Sequence, residues 1–127
     1  RKYTRPYPID EVATRFPDLK MVIAHLGHPW EGETVVTIRK HPNVFADISA
    51  LFYRPWQLYN SLMLVQEYAV WHKVLFGSDY AVTTPAESYG ELLALNDMLE
   101  GTKLPRVSYD RLNEVFERDS LSLLGLD

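Results

Sequence analysis

His25 ends the apolar run "LKMVIAH" and Asp79 follows the apolar run of "VLFGSDY", so an imidazole and a carboxylate each close a stretch that otherwise reads as buried strand. Polar side chains at the C-terminal ends of parallel strands are where α/β proteins meet their ligands. A neutral imidazole and a carboxylate suit Zn²⁺ or a similar ion, which lowers the pKa of a bound water toward neutrality; the carboxylate can also carry the proton. Each residue alone has a second reading, His25 as a hydrogen-bonded core histidine and Asp79 as a cap of the loop that follows. Tyr80, beside Asp79, is a candidate substrate contact. His28 and Trp30 follow His25 closely enough to shape the same pocket, the indole by stacking on a planar acid, although a tryptophan beside Pro29 also serves as a local packing anchor. Arg54, with Tyr53, could bind a carboxylate. Asp47 alternates with Phe45 and Ile48, and a structural hydrogen bond is its simpler role.

These residues need a scaffold, and the hydrophobic pattern supplies one. "IDEVATRF" sets Ile9, Val12, Ala13 and Phe16 on one face of a short helix that ends before Pro17. "LKMVIAH" is too short for a helix and reads as a strand buried on both faces. "ETVVTIRKH" is a helix stopped by Pro42, and "NVFADIS" is a second strand. "PWQLYNSLMLVQEYAVW" opens with Pro55 and places Leu58, Leu62, Val65 and Ala69 on one stripe. "KVLFGS" is the third strand. "PAESYGELLALNDMLEG" closes on Gly101 with Tyr89, Leu92, Leu93, Asn96 and Leu99 sharing a face. The last helix, "SYDRLNEVFERDSLSLLG", is capped by Ser108 and buries Leu112, Val115, Phe116 and Leu123. Strands alternating with helices predict an α/β fold with three parallel strands, and residues 1–127 read as one domain.

The composition agrees with small-molecule chemistry. The chain has 127 residues, 46% of them apolar, which is enough for a packed core. A net charge of -4, with no Lys/Arg run longer than a pair, leaves no electrostatic footprint for nucleic acid. No apolar run approaches a membrane span and "RKYTRPYPID" has no signal-peptide core, so a cytoplasmic protein is the expectation. With no cysteine, any metal must be held by His, Asp or Glu.

In this order and spacing, "FPDLKMVIAHLGHPW", "HPNVFADIS" and "VLFGSDY" resemble the C-terminal part of the amidohydrolase-related family of metal-dependent hydrolases and decarboxylases. The resemblance implies strands six to eight of a (β/α)8 TIM barrel with a divalent metal at its C-terminal mouth. It matches His25 to the strand-six histidine that meets substrate or metal, and Asp79 to the strand-eight aspartate, a metal ligand and proton carrier. The chain departs from the family pattern at His28, where a second glycine is usual, at Ala81, where a proline is usual, and at Asp119, where an asparagine is frequent and helix packing is the expected role. The His-x-His pair of strand one and the strand-five ligand have no counterpart. His41 and His72 fall just before strands, at the opposite end of such a barrel.

The resemblance thus implies hydrolysis or decarboxylation of a small organic acid or lactone, with Zn²⁺ the default ion and Mn²⁺ fitting the same ligands. Two well-placed ligands are fewer than the three that a hydrolytic site generally uses, so the chain alone is expected to hold metal loosely and to lack turnover. Three strands also leave two open edges, which predicts self-association or docking onto the missing N-terminal barrel half. The competing reading is a non-catalytic α/β fragment or subunit that associates through that open sheet.

Overall fold

The computed structural model describes residues 5–49, 54–77 and 85–126. Its helices are α1 (Tyr7–Arg15), α2 (Glu31–Lys40), α3 (Pro55–Glu67), α4 (Pro85–Ala94), α5 (Tyr109–Glu117) and α6 (Ser120–Leu123). The strands β1 (Met21–Ile23), β2 (Val44–Asp47) and β3 (Val74–Leu75) form one parallel sheet in the order β1-β2-β3. Met21 pairs with Val44 and Ile23 with Ala46, while Ala46 pairs in turn with Val74. The expected alternation of helices and parallel strands is therefore the observed one. No described helix is long and apolar enough to cross a membrane.

The helices cover one face of the sheet. Ile23, Val44, Ala46, Ile48 and Val74 point into a continuous core with Val35 and Ile38 of α2, Leu58, Leu62 and Val65 of α3, and Leu112 and Val115 of α5. The other face is treated differently along its length. Phe45 and Leu75 are buried there, but Val22 is 41% exposed, so β1 is not covered on both sides as the unbroken apolar run had suggested. The strands are also shorter than their apolar runs, because continuity of hydrophobic residues marks burial and not ladder length.

Other departures follow from local geometry. Of the α1 face, Ala13 is buried and Ile9 packs on the core, but Val12 and Phe16 are exposed. The α3 stripe stops at Val65; Ala69 has φ 55° and sits exposed in the turn after the helix. Leu93 is exposed while Leu92, Asn96 and Leu99 of the same predicted face are buried. The last predicted helix is two. Ser108 caps α5 by accepting from the Arg111 N–H, and Asp119 caps α6 by accepting from Ser122 N–H at 3.1 Å. α5 thus ends at the Arg118 cap, and Asp119 starts a second helix in place of the packing role expected for it. The break turns Arg118 inward, where its guanidinium donates to the carbonyls of Trp71 and Val74 and ties the end of α5 to the start of β3.

Two side-chain amides hold the extended segment before α5 as a neighbouring strand would. Asn96 donates to Val107 O and accepts from Val107 N, both at 2.9 Å, and Gln66 does the same for Arg106 O and Ser108 N. Replacing Asn96 by Ala orphans both backbone groups of buried Val107, so a loss of about 3 kcal/mol is expected in urea unfolding. Gln66→Ala, at an exposed bond, should cost about 1 kcal/mol.

A second expectation concerns pH. Lys73, just before β3, is only 6% exposed, and its ammonium donates to the His41 carbonyl at 2.7 Å. Burial, reinforced by the charge of Lys20, lowers its pKa from 10.5 to about 8. Between those values the unfolded chain binds a proton that the folded chain has released, so folding stability should rise from this residue as pH rises from about 8 to 10.5. Urea midpoints measured across that range should climb in the native chain and lose this component in Lys73→Met.

Candidate functional site

The chain leaves β1 in an unusual way. His25, Leu26 and Gly27 have φ values of 56°, 52° and 68°, three successive left-handed residues of which only the last is glycine. That conformation costs about 1–2 kcal/mol for each non-glycine residue. Two contacts offset it. Leu26 is driven completely into the core, worth about 2 kcal/mol. The His25 N–H is held by the Asp47 carboxylate at 3.0 Å. Gly27 is required for a further reason: a Cβ there would collide with the Thr34 hydroxyl at the start of α2 and press on Pro6.

Asp47 is the hub of this arrangement. Its Oδ1 accepts from His25 N, from Ser49 N at 3.1 Å and from Ser49 Oγ at 2.5 Å. Ser49 in turn receives the histidine, whose Nδ1 lies 3.0 Å from Ser49 O and 2.8 Å from Ser49 Oγ. A carbonyl only accepts, and the hydroxyl hydrogen is committed to Asp47, so the proton belongs on Nδ1. In the neutral ring Nε2 then carries the free lone pair, as in a metal-ligating or proton-accepting histidine. The structural hydrogen-bonding role expected for Asp47 is what the structure shows.

Ser49 also meets the third strand. A Cβ at Gly77 would fall 3.3 Å from Ser49 Cβ, so the glycine lets the end of that strand approach closely. The ends of all three strands therefore converge around the support of His25.

His28 is held by a parallel device. Its Nδ1 lies 2.9 Å from Glu31 Oε2, and the same oxygen accepts from Ser61 Oγ at 2.6 Å. Glu31 is 8% exposed and begins α2, where its charge also faces the positive end of the helix. The carboxylate thus directs the Nδ1 hydrogen inward and leaves Nε2 of a second histidine available.

The remaining predicted residues fare differently. Trp30 precedes α2 and its ring faces the Arg5 guanidinium, 5.8 Å from the centroid, while its carbonyl accepts from Thr34 N. Arg54 precedes α3 and is exposed. Tyr53, Asp79 and Tyr80 lie outside the described residues. The first histidine's strand and the third strand are separated by β2. His41 and His72 sit before β2 and β3, away from this end, and His41 pairs with Asp10 at 2.6 Å. That contact, with the Lys40 ammonium, holds the Asp10 carboxyl below its ordinary pKa.

Ser49, Glu31 and Ser61 were not singled out from the sequence. The signals were slight: Asp-x-Ser at a strand end, where such side chains capture backbone N–H groups, and a serine between Leu58 and Leu62 of an apolar helix stripe. Among the described residues no three His, Asp or Glu side chains are grouped to hold a metal ion. The arrangement instead offers two imidazoles oriented by buried acceptors.

No curated protein matches the chain. The crystal structure of an uncharacterized TIM-barrel protein, Bb4693 from Bordetella bronchiseptica, matches with a TM-score of 0.62 at 22% identity, over 98% of this chain and 41% of that one. The three parallel strands and their helices thus have the fold of part of a TIM barrel, and the chain spans less than half the length of that neighbour. The sequence model of the family described as Amidohydrolase matches residues 1–110. On that match, which covers most of its length, the chain belongs to the amidohydrolase family.

Proposed function

We propose that the chain is the C-terminal part of a metal-dependent hydrolase or decarboxylase that acts on a small organic acid or lactone at the C-terminal ends of its strands. The observation that carries this reading is the orientation of His25, whose Nδ1 is committed to Ser49 and whose Nε2 is left as a base or ligand. Family membership supports the reaction class.

The donor chemistry fits a divalent ion. His25 and Asp79 are the residues that would hold it, with Zn²⁺ the default and Mn²⁺ compatible with the same ligands. Such an ion, when bound, polarises a substrate oxygen and lowers the pKa of water. Asp79 is proposed to hold and return the proton, and His28, Trp30, Arg54 and Tyr80 to orient the substrate. The barrel-completing strands are proposed as the partner of the sheet edges formed by β1 and β3. They would also bring further metal ligands, since a hydrolytic site generally uses three.

Calorimetric titration with Zn²⁺ tests the assignment. The 127-residue chain is expected to bind weakly, with Kd above about 1 μM, and His25→Ala or Asp79→Ala should remove what binding there is. Submicromolar binding of one equivalent, abolished by either substitution, would show a self-contained site and overturn the reading of the chain as part of one. Uptake indifferent to both substitutions would remove these residues from the assignment.

The support of His25 can be tested separately. Ser49→Ala removes the hydroxyl between Asp47 and the imidazole. In a polypeptide carrying this segment joined to the rest of the barrel, it should weaken metal binding about tenfold. Nitrogen-15 spectra of the chain itself should report protonated Nδ1 in the neutral His25 ring. Protonated Nε2 would contradict the deduced tautomer.

A further inference from the structure

A cavity of about 510 Å³ opens at the other end of the strands, lined by Lys20, Ile38, Arg39, Pro42, Phe45, His72, Lys73 and Leu123. Four of these side chains are basic and none is acidic. Lys20 and Lys73 approach the same Phe45 ring, with their ammonium groups 5.8 and 4.5 Å from its centroid. Two like charges around one aromatic ring repel each other, and the ring face compensates only in part.

Lys73 is the decisive residue. It is almost fully buried, yet among the described residues its ammonium meets one neutral acceptor, the His41 carbonyl, and no carboxylate. An ammonium has three hydrogens to donate, so the geometry leaves donor capacity beside the cavity. Among the described residues the ion-paired acids are engaged elsewhere: Glu33 with Arg5, Glu31 with His28, Asp10 with Lys40 and His41, and Glu114 with Arg111. Arg118 adds a further positive charge on the His72 side, and its guanidinium is used by the carbonyls of Trp71 and Val74. Arg39 lies over the Tyr68 ring, 5.9 Å from the centroid. Burying a charge without a counter-ion is costly, and a cluster of such charges around a cavity is matched by an anion.

We propose that Lys20, Arg39 and Lys73 form a seat for an oxyanion, a phosphate or carboxylate group, at the N-terminal end of the sheet and separate from the His25 site. The bound oxygen atoms would accept from the Lys73 ammonium at the back of the cavity, with Lys20 and Arg39 closing on it from the exposed rim. The depressed pKa of Lys73 is the expected signature of such a site without its anion, and occupation would raise it.

Inorganic phosphate is the probe. Lys73 of the 127-residue chain is followed by ¹⁵N-¹H spectroscopy through a pH titration, with and without about 10 mM phosphate, at constant ionic strength set by chloride. Phosphate is expected to move the Lys73 midpoint up by about one pH unit. Lys73→Met and Lys20→Met, which keep the apolar stems, should each weaken phosphate binding about tenfold. Lys20 is exposed, so its variant provides the test if Lys73→Met fails to fold. A Lys73 midpoint unchanged by phosphate, or equal binding by native chain and folded variants, overturns the proposal. A second arm separates the sources of the anion by repeating the titration on a longer polypeptide that completes the barrel. A Lys73 midpoint already near its ordinary value, with phosphate binding lost, identifies a carboxylate of the added strands. A midpoint still low and raised by phosphate identifies a soluble ligand.

Discussion

One carboxylate oxygen organises the end of the sheet that carries the candidate chemistry. Asp47 Oδ1 accepts from two backbone N–H groups and one hydroxyl drawn from two strand ends. Without it the left-handed turn after β1 would have to hold two strained non-glycine residues with only the burial of Leu26 and the turn's own backbone bonds, His28 N–H to His25 O and Trp30 N–H to Gly27 O. With it, the His25 backbone is pinned and Ser49 is oriented to fix the imidazole. Backbone strain, a buried hydrogen-bond hub and a committed ring proton are thus one construction, of the kind that concentrates at functional sites.

The packing behind this site explains why the hub can be precise. Core residues of β1, β2 and β3 lock onto α2 and α3, and the Glu31–Ser61 hydrogen bond joins those two helices while holding His28. On the far side, Arg118 ties the end of α5 to the start of β3, and the amides of Asn96 and Gln66 hold the extended segment before α5 through its main-chain acceptors and donors. The amide bonds substitute for strand pairing in a segment that has none.

The two ends of the sheet are chemically opposed. At the C-terminal end, imidazoles are directed by acceptors, and Asp47 and Glu31 each satisfy several donors. At the N-terminal end, two lysines approach Phe45 and Arg39 lines the same cavity, with no carboxylate among the cavity's side chains. The first arrangement leaves the Nε2 atoms of two imidazoles as bases or ligands. The second suits holding an anion in place. Both faces follow from short polar caps on the same three strands.

Much of this was legible in the sequence because it depends on local pattern. Apolar runs bounded by proline and glycine marked the three strands and the helices up to α5, and three ordered motifs marked His25 and the family. Pro55 at the start of α3 and Ser108 at the start of α5 are local signals too. What the sequence could not show depends on residues far apart in the chain. Asp47 reaches His25 across 22 positions, Ser61 reaches Glu31 across 30, and Lys73 reaches the His41 carbonyl across 32. No periodicity encodes such meetings; they exist only once the parallel strands are in register and the helices packed. The same reason explains the exposed Val22 and the broken last helix. Hydrophobic pattern determined which segments would be ordered, and tertiary contact alone decided which face was covered, where Arg118 turned inward and which nitrogen of His25 was left free.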